Sequence, residues 1–178
     1  MPETKQILSE SEIDRILKRM AFEILEVHKG NHMALVGIHT RGVFLALRLH
    51  DHIKAFEGAD VPVGKIDITL YRDDWTQMSA QPVVKTTEIP FAVEEKKIIL
   101  VDDVLYTGRT VRAAMDALID FGRPARIELA VLIDRGHREL PIQSNYTGQS
   151  VRTKKSDMVN VMLKECDGED GVVLVAGR

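Results

Sequence analysis

Hydrophobic residues follow two spacings along this chain, and each spacing predicts a different kind of element. Ser9 and Glu12 stand at the spacing of a capping box and predict the start of a helix that ends near Gly30. One face of this helix would carry the apolar residues Ile13, Ile16, Leu17, Met20, Ile24 and Val27. The continuous apolar run at 34–38 is instead typical of a strand that is buried on both faces.

The order of a strand, a helix and a strand occurs twice. In its first occurrence, helical spacing and then strand alternation follow the run at 34–38, on Leu45, Leu49, Ile53 and Phe56 and on Ile66, Ile68 and Leu70. The second has strands at 98–101 and 127–133 around a helix that Gly122 and Pro124 end, with an apolar face of Val111, Ala114, Met115 and Leu118. This alternation predicts an α/β fold with a central parallel twisted sheet flanked by helices. In such folds, ligands bind beyond the carboxyl ends of the strands.

Beyond Asp134 the sequence becomes rich in turns. Short strand candidates at 158–162 and 172–175 predict a small flap, here called the hood, built mainly from about residues 134–178. The stretches at 58–64 and 73–90 resemble loops. The chain has neither an internal repeat nor a low-complexity tract. Its 178 residues fall within the usual size of one domain, so we interpret residues 1–178 as a single domain.

Length and composition narrow the class of protein. The chain has 178 residues, of which 44% are hydrophobic, so it can bury a substantial core. A formal net charge of -3 gives no strong overall attraction to nucleic acid or anionic membranes. The single cysteine excludes an intramolecular disulfide framework. No apolar run approaches the roughly 20 residues needed to cross a bilayer, and no targeting signal is recognised, so the cytoplasm is the expected location.

The strongest chemical signal lies at 98–110, where a buried strand leads into two acids, a glycine-bearing turn and a helix start. A helix N-terminus presents backbone N–H groups and the positive end of its dipole, which together bind a phosphate. Thr107 and Thr110 add hydroxyl donors. The carboxylates of Asp102 and Asp103 can accept hydrogen bonds from a sugar diol and favour a developing oxocarbenium ion. The segment therefore suits a ribose 5-phosphate.

Two acids before a capped helix can equally be a solvated strand end, so the context decides between the two interpretations. The whole segment resembles the motif by which type I phosphoribosyltransferases bind 5-phosphoribosyl-1-pyrophosphate (PRPP), in the strand–turn–helix context that the motif requires. The glycine patterns of P-loop and dinucleotide-binding proteins are absent from the chain. We therefore expect a PRPP site formed by Asp102, Asp103, Val104, Leu105, Tyr106, Thr107, Gly108, Arg109 and Thr110.

Three further segments follow strands that end on the same predicted edge. In the loop at 37–42, Thr40, Arg41 and the backbone N–H groups can hold pyrophosphate. After the next strand, Arg72 opens a polar loop that can fold over the pyrophosphate and exclude water. The charged turn at 134–141 can face a nucleobase. Each segment can also be a solvated connection, and their shared position favours a function.

The spacing of the histidines and the cysteine indicates neither a metal site nor a nucleophile. His50 and His52 face different sides of a predicted helix, and the H-E-x-x-H pattern is absent. Most histidines are therefore interpreted as structural or as surface residues. Cys166 has no identifiable base partner and is interpreted as inert.

Taken in order, the four segments resemble the PyrR family of pyrimidine-operon regulators and uracil phosphoribosyltransferases. The resemblance covers nearly the whole chain, and the blocks at 63–74 and 134–141 are more specific to the family than the PRPP motif. It implies a type I phosphoribosyltransferase fold and the conversion of uracil and PRPP to UMP and pyrophosphate. It also implies transcriptional attenuation through binding of pyrimidine-operon messenger RNA, controlled by UMP or UTP, and a homodimer or larger homo-oligomer.

The resemblance assigns roles to individual residues. The catalytic residues would be Asp102, Asp103 and Arg72, with the two aspartates on the ribose hydroxyls and residues 107–110 on the 5-phosphate. Pyrophosphate would be bound by Thr40, Arg41 and Arg72. The base would lie beside Arg135, His137 and Arg138. Mg²⁺ would be bound mainly by PRPP and pyrophosphate oxygens, with no site held by the protein alone.

RNA contacts are implied for basic residues in two places, namely Lys18, Arg19, Arg152, Lys154 and Lys155. Both places depart from the usual family pattern. The first helix reads Lys-Arg-Met-Ala-Phe at 18–22 in place of Thr-Arg-Ile-Ala-His, and the later loop reads Arg-Thr-Lys-Lys-Ser at 152–156 in place of Pro-Thr-Ser-Lys-Ser. Basic clusters are often only solvated faces, and 5% aromatic residues offer little stacking surface for RNA.

Two alternative functions stay open from the sequence. One is an RNA-binding regulator that uses its pocket mainly to sense UMP or UTP, with little catalysis. The other is a phosphoribosyltransferase for another base, such as a purine or orotate, without an RNA function. Turnover of PRPP with different bases separates the enzymes, and RNA titration with and without UMP tests the regulator.

Overall fold

The computed structural model describes residues 3–29, 32–73 and 85–177 of the chain. Its strands are β1 (Thr4–Leu8), β2 (Met33–Ile38), β3 (Val63–Ile66), β4 (Lys97–Leu105), β5 (Arg126–Asp134), β6 (Tyr146–Ser150), β7 (Met158–Met162) and β8 (Gly171–Val175). The helices are α1 (Glu10–His28), α2 (Arg41–Glu57), α3 (Arg109–Ile119) and α4 (Lys164–Asp167), and a 3-10 turn spans Thr69–Tyr71. None of the described helices is long and apolar enough to span a membrane.

The main sheet contains five parallel strands in the order β3-β2-β4-β5-β6, which confirms the predicted α/β architecture. Successive residues of its central strands face opposite sides. Leu35 and Ile99 pack in the cluster that contains the buried faces of α1 and α2, whereas Val36 and Leu100 pack in the cluster that contains α3. Burial on both faces explains why these strands are continuously apolar in sequence.

The capping box of α1 is confirmed, because Ser9 N–H donates to Glu12 Oε2 (2.8 Å) and Glu12 N–H donates to Ser9 Oγ (3.4 Å). The helix ends at His28, and Gly30 lies outside the described residues. The placement of Val27 and Phe56 on the buried faces of α1 and α2 is wrong, since both side chains are exposed. In the last turn of α1 the buried positions are Leu25 and His28, and the ring of Phe56 packs edge-on against the exposed ring of Phe22.

The predicted strand at 66–70 is misplaced, because β3 spans Val63–Ile66 and begins inside the stretch at 58–64 that was predicted to be a loop. β3 ends at Ile66, and Leu70 lies in the 3-10 turn with its side chain exposed. The chain turns because the Asp67 carboxylate accepts hydrogen bonds from the backbone N–H (2.9 Å) and hydroxyl (2.5 Å) of Thr69. This local side-chain contact competes with strand pairing.

A second, antiparallel sheet has the order β1-β8-β7, and we call it the hood sheet. The two predicted strands near 158–162 and 172–175 are confirmed as β7 and β8. Two other strands were not predicted. β1 comes from the opposite end of the chain, and β6 joins the main sheet although it lies within 134–178.

A buried polar network joins α1 to β5 and β6. Glu128 Oε2 forms hydrogen bonds with the imidazole Nε2 of His28 (2.7 Å) and with the hydroxyl of Tyr146 (2.8 Å). Burial raises the pKa of Glu128, but the hydrogen bonds from His28 and Tyr146 outweigh it and hold the pKa below its ordinary value. His28 is therefore a structural histidine, as the sequence indicated for most histidines.

Candidate active site at the carboxyl edge of the main sheet

A cavity of about 290 Å³, here called the edge cavity, lies beyond the carboxyl ends of β2, β3 and β4. Its lining combines residues from three separate segments, including Thr40, Arg41, Asp67, Arg72, Asp102, Asp103 and Thr110. The parallel sheet brings these segments together because all three strands end at the same edge. The structure thus gathers residues of the predicted PRPP, pyrophosphate and loop segments around one cavity.

The two acids lie inside β4, whereas the sequence suggested a strand that ended at residue 101. Pairing with β5 continues through Asp102, opposite Val131, to Leu105, opposite Asp134. Asp102 is only 7% exposed, and its Oδ1 accepts a hydrogen bond from the backbone N–H of Asp103 (2.9 Å). Burial and the neighbouring charge of Asp103 raise the pKa of Asp102 well above its ordinary value. This carboxylate pair suits a ligand that supplies hydroxyl donors or a cation.

The predicted phosphate-binding turn leads into α3. Gly108 has a positive φ of 93°, which explains the requirement for glycine directly before the helix. A second cavity of about 160 Å³ is lined by Arg72, Asp73, Thr107, Arg109 and Thr110. Arg109 Nη1 contacts Asp73 Oδ2 at 2.5 Å, and its Nε contacts Glu139 Oε1 at 3.3 Å. Threonine hydroxyls and two arginines therefore surround the start of α3.

The loop at 37–42 places α2 directly against β4. A Cβ atom on Gly42 would lie 2.3 Å from the carbonyl oxygen of Val101, so the helix start and the strand are in backbone contact. The peptide bond between His39 and Thr40 is cis. Arg41, the first residue of α2, forms a bidentate ion pair with Asp167 of α4, with Nη2–Oδ1 at 2.7 Å and Nε–Oδ2 at 3.1 Å.

Three contributors to the site were missed in the sequence: Asp67, Lys85 and Asp167. The ammonium of Lys85 donates to the Thr40 hydroxyl, and its backbone N–H donates to Asp67. Burial raises the pKa of Asp67, but hydrogen bonds from Thr69 and Lys85 outweigh it, so the pKa lies below its ordinary value. The only sequence signal was the position of Asp67 in the family-specific block at 63–74.

The three residues expected beside the base adopt two different arrangements. Arg135 and His137 line a cavity of about 610 Å³ between the carboxyl ends of β5 and β6. The guanidinium of Arg135 lies 4.0 Å from the centre of the Tyr106 ring, and the residue is 7% exposed. Within the part of the chain that the structure describes, no group accepts a hydrogen bond from its Nε. Arg138 instead braces the turn, because it bonds Asp134 (2.6 Å), Ile142 O (2.8 Å) and Tyr106 O (3.0 Å).

The five residues expected to contact RNA also fall into two groups. Lys18 pairs with Asp14 at 2.8 Å, while Arg19 pairs with Glu23 at 2.7 Å and donates to Gly148 O at 2.5 Å. By contrast, Arg152, Lys154 and Lys155 are exposed, and none of the ion pairs among the described residues involves their side chains. We call residues 152–155 the basic loop.

Comparison with known proteins agrees with this geometry. The model of the phosphoribosyl transferase domain family matches residues 3–164. Among solved structures, a hypoxanthine phosphoribosyltransferase of Trypanosoma cruzi superposes with a TM-score of 0.73 at 18% identity, covering 98% of this chain and 97% of that chain. The fold is therefore that of a type I phosphoribosyltransferase, as the sequence predicted.

Curated relatives identify the family to which the chain belongs within the phosphoribosyltransferases. The Bifunctional protein PyrR of Pelotomaculum thermopropionicum is 58% identical over 97% of this chain and 96% of its own length. The Bifunctional protein PyrR of Elusimicrobium minutum is 57% identical over 96% of each chain. The chain belongs to the PyrR family.

Proposed function

We propose that this protein is a uracil phosphoribosyltransferase that also regulates pyrimidine genes by binding their messenger RNA in response to uridine nucleotides. The catalytic part depends on one observation, namely the cavity in which Asp102 and Asp103 meet Thr40, Arg41, Arg72 and Thr110. The same cavity is lined by carboxylates that can bind a ribose and by cations that can bind a pyrophosphate. This combination suits PRPP better than a nucleobase or a simple sugar.

In the proposed reaction, the protein acts by position and charge and forms no covalent intermediate. The 5-phosphate lies at the start of α3, near the hydroxyls of Thr107 and Thr110. Asp102 and Asp103 accept hydrogen bonds from the ribose hydroxyls and stabilise positive charge that develops on the ring as pyrophosphate leaves. Arg41 and Arg72 hold the departing pyrophosphate. A ring nitrogen of the base bonds to the ribose carbon as the bond to pyrophosphate breaks, and the N–H proton of the base passes to the departing pyrophosphate or to water.

Mg²⁺ fits the donor set of this cavity. Asp102 is buried and the adjacent Asp103 is only partly buried, so an oxygen of the pair can be reached from the cavity. Burial and the adjacent Asp103 raise the pKa of Asp102, and a bound cation would stabilise its charged form. Hard oxygen donors of this kind are those that Mg²⁺ prefers, although it keeps several waters and phosphate ligands. Bound with PRPP, it would neutralise pyrophosphate charge. Asp102 and Asp103 would supply the protein's share of ligands, with most of the others from the substrate.

The base is proposed to lie on the side of Arg135 and His137. Support comes from the cavity that these residues line, and from the buried Nε of Arg135, which has no hydrogen-bond partner among the described residues. A buried N–H group without a partner favours an acceptor such as a base carbonyl. Base binding by Arg138 stays a prediction, since its three hydrogen bonds already brace the turn.

The decisive experiment follows pyrophosphate release from PRPP and Mg²⁺ with uracil, hypoxanthine, guanine and orotate in turn. Turnover that requires uracil supports the proposal. Turnover with a purine or orotate alone would favour the alternative enzyme. Absence of turnover together with tight UMP binding would favour a regulator that only senses nucleotides.

Replacement of Arg72 by alanine should raise the KM for PRPP by about 10- to 100-fold, the effect of one lost charge-assisted hydrogen bond. The affinity for UMP should fall less, because UMP keeps the 5-phosphate beside the start of α3 but lacks the pyrophosphate to which Arg72 is assigned. Steady-state kinetics and calorimetric titration of UMP measure the two quantities. Arg112→Ala, in the neighbouring helix, serves as the control and should change neither. Equal losses for PRPP and UMP would remove the assignment.

The RNA function is supported by the charge of the basic loop. Its three cations are exposed and form no ion pair within 4 Å among the described residues, whereas the α1 cations Lys18 and Arg19 pair with Asp14 and Glu23. Exposed cations without partners are available for phosphate contacts. We therefore place the stronger RNA contact at the basic loop and the weaker one at α1. Assembly as a homodimer or larger oligomer stays a prediction.

Alanine at Arg152, Lys154 and Lys155 together should weaken RNA binding and flatten its dependence on salt. For a single strand, each lost phosphate contact changes the slope of log affinity against log salt by about 0.7. Titration of pyrimidine-operon RNA at several salt concentrations measures this slope. Lys18→Ala is the matched control and should change the slope less, since Asp14 already pairs with Lys18. An unchanged slope in the triple variant would contradict the proposed RNA contact.

A further inference from the structure

Arg41 lines the edge cavity, and it forms an ion pair with an acid that lies outside this cavity. Its Nε and Nη2 donate to the two oxygens of Asp167, at 3.1 and 2.7 Å, and this geometry fixes the plane of the guanidinium. Arg41 belongs to the edge cavity, together with Thr40 and Asp103. Asp167 is the last residue of α4 and is not part of the cavity lining. One residue of the hood region thus determines where a cavity cation lies.

Asp167 is itself firmly placed. Its Oδ2 accepts a hydrogen bond from the backbone N–H of Leu163 (2.8 Å), which closes the start of α4. The ion pair with Arg41 and this backbone contact lower the pKa of Asp167 to about 2, so the carboxylate is charged at neutral pH. The acid can therefore serve as a fixed anchor for the arginine.

A second arginine on the same face of α2 strengthens the anchor. Arg48 follows Arg41 by two helical turns and contacts both Glu165 (2.6 Å) and Asp170 (2.8 Å). It holds the α4 segment against α2 but does not line the edge cavity. Arg48 and Glu165 thus form an ion pair of the same kind as Arg41 and Asp167 at a distance from the proposed ligand.

The anchored arginine retains donors for a ligand. A guanidinium has five N–H groups, and Asp167 engages Nε and one N–H of Nη2. No hydrogen bond within the described residues engages Nη1. Asp103 also lies within electrostatic range, because after Asp167 it is among the charges that raise the pKa of Arg41. Without Asp167, the guanidinium would be drawn toward Asp103, the acid needed for the ribose.

We propose that Asp167 is a positioning residue for pyrophosphate: it fixes Arg41 at the rim of the cavity and keeps it from Asp103. This inference rests on the proposed phosphoribosyltransferase function. PRPP and pyrophosphate meet a guanidinium that is already oriented, so less conformational freedom is lost when they bind. UMP carries no pyrophosphate and gains nothing from the same arrangement.

Asp167→Asn tests this role, with Glu165→Gln as the matched control in the same helix. Asp167→Asn should raise the KM for PRPP and the Kd for magnesium pyrophosphate by about three- to tenfold, the range expected when one long side chain is freed. The Kd for UMP should stay within about twofold of the parent value. Glu165→Gln should leave all three constants nearly unchanged.

A double-mutant cycle with Arg41→Ala makes the test specific. If Asp167 acts through Arg41, Asp167→Asn should cause no further loss of pyrophosphate affinity in the Arg41→Ala background. Additive losses, an equal loss for UMP, or tighter pyrophosphate binding by Asp167→Asn would each overturn the inference. If the parent protein is active and Asp167→Asn leaves its constants unchanged, the proposed role of Asp167 would be overturned while the proposed function would stand. A parent that binds neither PRPP nor pyrophosphate would overturn the proposed function as well.

Discussion

Replacement of Asp102 and Asp103 together by asparagine should reduce uracil turnover by about 1000-fold or more. Asparagine keeps the shape of each side chain but removes the negative charge that would stabilise the oxocarbenium ion, and groups with that task are worth about 100- to 1000-fold each. Release of pyrophosphate measures the loss. Asp116→Asn, which changes an exposed acid on α3, is the control and should retain parental activity. Near-normal turnover in the double variant would end the proposed role of the pair.

The same substitutions should not weaken the unliganded fold. The pKa of Asp102 is raised by burial and by Asp103, so its charged form destabilises the folded state above that pKa. An asparagine side chain in its place cannot ionise, so the variant should be at least as stable as the parent at neutral pH. The advantage should shrink as the pH falls through the folded pKa, and it should vanish below the ordinary value of 3.8. Urea unfolding at several pH values gives this comparison.

Replacement of Gly42 by alanine should damage both stability and activity. Its Cβ would lie 2.3 Å from the carbonyl oxygen of Val101, and a backbone atom cannot turn aside as a side chain can. Overpacking of this kind costs about 2–3 kcal/mol of unfolding free energy. The start of α2 would move away from β4 and carry Thr40 and Arg41 with it. A displacement of about 1 Å at such a site can reduce turnover by about 100-fold.

Gly58→Ala, at the other end of α2, is the matched control for this experiment. Gly58 has a φ of 67°, and no atom lies within 4 Å of a Cβ built on it. Alanine should therefore cost only about 1 kcal/mol through the left-handed backbone and leave turnover unchanged. Urea unfolding and pyrophosphate release on both variants provide the comparison. If Gly42→Ala were as stable and active as Gly58→Ala, the contact between α2 and β4 would not limit this site.

The central sheet could be predicted because its strands are buried on both faces, so their apolar runs at 34–38 and 98–101 are unambiguous. β1 and β6 carry no such signal. β1 is exposed along most of its length, and β6 has the polar sequence Tyr-Thr-Gly-Gln-Ser. These strands exist because distant partners pair with them, and single-sequence patterns do not report such pairing.

The candidate site shows the same division. The segment at 98–110 was recognisable because the turn, the glycine and the helix start are contiguous in sequence. The bond between Arg41 and Asp167 joins residues far apart in the chain, and neither position has a periodic pattern. The ion pair of Lys18 with Asp14 could have been predicted from the sequence, because the two residues are four apart on a predicted helix. The different situation of Arg152 could not, because it depends on which acids the folded chain brings near the basic loop.

The hood sheet has a consequence for how the chain folds. β1 pairs with β8, so that Thr4 lies opposite Val175, whereas the five strands of the main sheet all lie between residues 33 and 150. Contacts between residues so distant in sequence are entropically costly to form early. We therefore expect the edge cavity to assemble first. Pairing of β1 with β8, which completes the hood sheet, would follow in a later step. Folding order would then separate the ribose-binding framework from the element that holds Arg41 in place.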